Sequence, residues 1–141
     1  MDFKTIEDKI IVELKNAIPY VNTVETYAGQ LEDEIKKIPI LFPALFVAYQ
    51  GSKYEWIENE NYNASIGFII FCAAKNLRGS DRIKGEQGCY QMIEDVLSAL
   101  TNKTLNLEIE RIKPLSISFE YVSKGIAIYS VEVQTNFDKT Y

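Results

Sequence analysis

One hundred and forty-one residues suit one ordinary domain, and a chain of that length buries roughly 68–70% of the surface it would expose unfolded. A hydrophobic fraction of 47% with 25% charged residues argues against bulk disorder, except at the last few residues, and no window reaches the 18 apolar residues of a membrane span. Twenty acidic against fifteen basic residues leave a net charge of −5, which disfavours generic nucleic-acid binding, since that rests on Lys and Arg neutralising phosphates.

The sequence holds no histidine. That removes the usual general base, the usual zinc ligand and every Ser-His or Cys-His nucleophile pair, so no enzyme and no cofactor are expected. Met1-Asp2-Phe3-Lys4 lacks the basic region and apolar run of a signal peptide, so synthesis in a cytoplasm is expected. Cys72 and Cys89 fall in apolar segments and read as reduced, buried thiols.

In chain order, Phe3, Ile6, Ile10, Leu14 and Ile18 recur at spacings of three and four among charged residues. They predict an amphipathic helix over Asp2–Asn16, closed by Pro19. Thr23–Tyr27 reads as a short strand. Leu31–Lys37, acidic at its start and basic at its end, reads as a short helix or turn of the polarity that the helix dipole favours. After Pro39 and Pro43, Ala44–Tyr49 is apolar on both faces and is expected inside a sheet. Gly51-Ser52-Lys53 predicts a bulge or turn before Tyr54–Ile57, and Glu58 to Asn61 a polar turn. Ala64–Ala74 is the most apolar strand and belongs mid-sheet.

Asn76–Gly88 is the most loop-like stretch, with Ser80 or Asp81 able to cap a helix. Cys89, Met92, Ile93, Val96, Leu97 and Leu100 then mark a helix over Cys89–Leu100. The remainder turns to period two. Ile117, Phe119 and Tyr121 alternate with polar residues, as do Tyr129, Val131 and Val133 after a turn at Ser123-Lys124-Gly125, which predicts a C-terminal β-hairpin with one wet face. Residues 1–141 therefore read as a single α+β domain. Two main helices should pack on one mixed or mainly antiparallel sheet, with Ile66, Phe68, Ile70, Val96 and Leu97 in the core.

Motifs for chemistry are weak. Gly79, Gly85 and Gly88 match neither dinucleotide nor P-loop spacing. Glu32, Asp33 and Glu34 are adjacent on a helix and point apart, so they do not converge on one cation. Glu108 with Glu110, or Glu120 with Glu132, suit the wet face of a strand better than a glycosidase pair. Arg78, Arg82 and Lys84, beside Gly79, form the one local basic cluster of an acidic chain. They are the candidate assembly-contact residues, either as a plain solvated loop or as a contact for an acidic surface or DNA.

Five ordered blocks carry a resemblance. They are Thr26-Tyr27-Ala28-Gly29-Gln30-Leu31, Pro43 to Tyr49 followed by Gly51, Asn76-Leu77-Arg78-Gly79, Gly88-Cys89-Tyr90, and Gly125-Ile126-Ala127-Ile128-Tyr129. Together the chain resembles the Mu-like phage and prophage tail-terminator family. The resemblance implies a virion-tail protein, made in the bacterial host cytoplasm, whose copies close into a ring, a hexamer, on the end of the tail tube. Its partners would be itself, the tail tube protein and the head-completion protein, with no membrane and no specific nucleic acid. Other readings are a different head–tail connector or baseplate part, or a host cytoplasmic adaptor.

Overall fold

In the computed structural model, residues 2–31, 40–75, 80–85, 87–123 and 125–141 are described. The first helix, α1 (Phe3–Ala17), begins where Asp2 accepts a 2.8 Å hydrogen bond from the Thr5 backbone N–H, satisfying a donor the first turn leaves open. Its spacing puts Ile6, Ile10 and Leu14 on one buried stripe, with Ile18 just beyond.

Among the described residues, five strands form one sheet in the order β1 (Thr23–Thr26), β2 (Ala44–Glu58), β3 (Asn61–Lys75), β5 (Ile126–Thr140), β4 (Lys113–Ser123). β1 lies parallel to β2, and every other neighbouring pair is antiparallel. A one-turn helix, α2 (Asp81–Lys84), and the helix α3 (Cys89–Leu100) follow β3 in the chain. The α+β class and the two-helix layer on a mixed sheet are as the sequence implied.

The apolar alternation of β3 explains its place. Ala64, Ile66, Phe68, Ile70 and Cys72 point to the face that carries α1 and α3, and there they form one cluster with Ile10, Leu14, Met92, Val96, Leu100 and Val131. Cys89 anchors the start of α3, its thiol donating to the carbonyls of Ala127 at 3.3 Å and Cys72 at 3.5 Å. Tyr20 ties the other end of this layer by donating to Asp95 Oδ2 at 2.5 Å. On the opposite face a smaller cluster gathers Leu31, Ala44, Phe46, Ala73, Ile126 and Ile128 under Tyr27, Ile40 and Phe42. This second cluster is why Ala44 to Val47 is apolar on both sides.

Several sequence expectations change in detail. The separate segments at Ala44–Tyr49 and Tyr54–Ile57 are one fifteen-residue strand, because Gly51 bulges the chain without turning it: the register slips by one between Tyr49 and Gly51, and Gly51 takes φ +146°. The C-terminal strands run well past the alternating cores, since polar residues at their ends still pair; Thr140 stands opposite Asn61, so the last residues are ordered. Leu97 is only partly buried. The expected short helix at Leu31–Lys37 falls, beyond Leu31, outside the described residues.

Candidate assembly surfaces

The geometry that positions exposed side chains is an imbalance of lengths. α1 packs over β1 and β2 and α3 over β3 and β5, while β2 and β3 continue past them as a hairpin closed by Asn59 and Glu60. From Lys53 to Glu60 every residue is exposed. Tyr54 and Trp56 share the helix-bearing face with Tyr62 and Tyr141, because Tyr54 pairs with Ala64 and Trp56 with Tyr62. Tyr141 stands edge-on to both Tyr54 and Tyr62 at about 6 Å, and its hydroxyl donates to that of Tyr54 at 3.3 Å. The three tyrosines line an open recess of about 430 Å³, and Trp56 beside them is 62% exposed. This aromatic tip, an uncovered cluster of Tyr and Trp, has the composition of interface cores.

A second apolar strip lies at the other edge of the sheet. Ile117 and Phe119 share the helix-bearing face through their partners Val131 and Tyr129, yet they are 49% and 57% exposed. Phe119 meets Tyr129 edge-on at 5.3 Å, and Tyr129 meets Tyr90 at the start of α3. The hydrogen bond with Tyr90 raises the Tyr129 phenol. This corrects the sequence picture of the final hairpin. A wet polar face exists, but the apolar face of β4 is wet as well, because the helical layer lies over its neighbours.

The polar face of the sheet is a hydrogen-bonded network. Glu132 accepts from Gln50 and Ser116 at 3.0 Å, Glu120 accepts from Ser130 at 2.7 Å, and Asn136 donates to Asn63 and Ser65. Both carboxylates that sequence spacing offered as a pair are thus occupied in holding strands in register. Glu108 and Glu110 lie in the loop before β4, both exposed. Among the described residues no group of three or more Cys, Asp or Glu is placed to hold a metal. Cys72 is fully buried, and burial pushes the Cys89 thiol up to about 11. Neither is a nucleophile at neutral pH.

The basic cluster is only partly visible. Arg78 and Gly79 lie outside the described residues, Arg82 falls within α2, and Lys84 is exposed at its end. Glu32, Asp33 and Glu34 also lie outside. The surfaces that sequence reasoning missed are the aromatic tip and the β4 strip. The available signal was Tyr54, Trp56 and Ile57 beside a polar turn, where strand ends seldom find cover.

Comparison with known families gives the decisive match. The family model of bacteriophage Mu Gp37 matches residues 3–138. The chain belongs to the bacteriophage Mu Gp37 family. No curated protein matches the sequence. Among solved structures, a chain of the "Virion of native gene transfer agent (GTA) particle" shares the fold, with a TM-score of 0.62 at 10% identity over 95% of both chains. At that identity the likeness speaks for the fold.

Proposed function

We propose that this member of the Mu Gp37 family is a non-enzymatic structural protein of a phage particle, a tail terminator whose copies close into a ring, a hexamer, on the end of the tail tube. The ring stops tube growth and offers its outer surface to the head-completion protein. The observation that carries this reading is the family match over residues 3–138. The fold shared with a chain of a gene transfer agent virion supports the coarser half of it, a structural part of a phage-like particle. A closed ring needs two different patches on each subunit that meet on neighbours. The aromatic tip and the β4 strip are two such patches, on separate parts of the sheet. The loop with Arg78, Arg82 and Lys84 is proposed as a further contact, towards an acidic neighbour.

The test is genetic and visual. Deleting the gene from its phage or prophage and imaging the particles should give tails of uncontrolled length that lack heads. Tails of normal length joined to heads would refute the terminator role. Headless tails of normal length would move the protein to a connector.

A further inference from the structure

Among the described residues, strands at both sides of the sheet leave backbone edges unpaired. β1 runs along β2 only from Ala44 to Val47, so from Ala48 to Glu58 the outer edge of β2 has no strand beside it among the described residues. β4 closes the other side of the sheet, and among the described residues no strand lies along its outer edge. Long, bare, apolar edges recruit other strands, and proteins blunt them when pairing is unwanted. Across Leu115 to Phe119 β4 carries no charge at all.

We propose that the β4 edge of one copy pairs antiparallel with the free β2 edge of the next, joining the sheets of the ring edge to edge. This rests on the ring reading above and names the surfaces that close it. Three observations favour a second copy as the occupant. The first is direction. β2, β3, β5 and β4 alternate in sense, so β4 runs opposite to β2, and a rotated copy presents the antiparallel partner with the same face outward.

The second is chemistry by face. Ile117 and Phe119 point to the helix-bearing side, as do Tyr54 and Trp56; Ser116 and Ser118 point to the polar side, as do Lys53 and Glu55. Setting Ser118 against Lys53 places Ile117 against Tyr54 and Ser116 against Glu55. The third is charge. The same setting brings Glu120 alongside Lys53 and Lys113 towards Glu58, opposite signs at both ends. β4 pairs no further towards the hairpin tip than Lys113, opposite Gln134 and level with Gly51, whereas the free length of β2 runs on to the tip. Neighbouring sheets are therefore offset along their strands, as closed sheets with tilted strands require.

The experiment uses paired cysteines on the full chain, whose own two thiols are buried. Opposed side chains on one face of an antiparallel pair lie within reach of a disulfide. Oxidised K53C/S118C should give a ladder of covalent multimers beyond the dimer on a non-reducing gel, while either single variant and the opposite-face pair K53C/I117C should not. A ladder from K53C/S116C instead supports the same pairing moved by two residues. I117K should weaken association at least tenfold while lowering the melting temperature of the monomer by only a few degrees. Rings seen by microscopy with no ladder from either same-face pair overturn the edge pairing and leave the ring reading standing. Dimers from S118C alone overturn it in favour of β4 against β4. A chain that stays monomeric at every concentration, without a ladder, overturns both.

Discussion

Phe68→Ala is the sharpest test of the core. Phe68 sits in the middle of β3, 1% exposed, between Val133 on β5 and Tyr49 on β2, with the Tyr49 ring 5.8 Å away. Tyr49 in turn stacks on Phe3 at the start of α1, at 4.4 Å. Truncation removes the buried ring and leaves a void that the flanking strands, β5 paired along its whole length and β2 paired on both sides of its bulge, are poorly able to close. Such Phe→Ala changes cost about 3–5 kcal/mol. An unfolding entropy of roughly 2.1 cal/mol/K per residue gives roughly 0.3 kcal/mol/K for this chain, so the melting temperature should fall by about 10–17 °C. Ile117→Ala is the matched control. Its side chain is half exposed, so the monomer should lose no more than about 1 kcal/mol, or about 3 °C. Differential scanning calorimetry on dilute protein separates the two. Equal shifts for Phe68→Ala and Ile117→Ala would refute the assignment of the helix-bearing face as the core.

Tyr20→Phe should lower stability by about 1–2 kcal/mol in urea denaturation, because it strands the Asp95 carboxylate that the phenol now serves; an unchanged midpoint would dismiss that bond. Burial raises the Cys89 thiol from near 9 to about 11 and raises Cys72 and Tyr20 in the same direction. A folded value above the unfolded one means that the contribution is whole below about pH 9 and is lost as pH rises from there. The melting temperature should therefore be flat near neutrality and drop between pH 9 and 11, and both thiols should resist a thiol reagent at pH 8 until the chain unfolds. Arg78→Ala with Arg82→Ala should move monomer stability by no more than about 0.5 kcal/mol yet disturb tail length in particles. Normal tails would make the loop a solvated turn, and a large melting loss would make the arginines structural.

Periodicity carried most of the fold. The spacing of four through Ile6, Ile10 and Leu14 and the apolar run from Ile66 to Ala74, interrupted only by Gly67, mark a helix and a mid-sheet strand, and both are where that reading puts them. Strand ends were harder. Asn61, Asn63, Asp138 and Thr140 look like loop residues, but they pair across β3 and β5 and bond side chain to side chain. A local pattern does not contain a partner some 75 positions away. The surface was hardest to see. Ile117 and Phe119 alternate as buried residues do, and only the lateral reach of the helices decides that they are not. The basic loop stood out by charge, while the aromatic patches hid among residues that usually mean core.

The double ladder along β3 also bears on how this chain folds. Its pairing with β2 closes through the short link at Asn59 and Glu60, a hairpin of the kind that forms in about 1–10 μs. Pairing with β5 must bring Asn61 to Thr140 and Ala74 to Ala127, contacts of long sequence separation that slow folding. Until β5 pairs, the backbone edge of β3 from Ile66 to Cys72 is open, along the most apolar stretch of the future sheet. Rapid expression at high temperature should send chains into aggregates from that intermediate, and a chaperone that shields extended apolar strands should recover them.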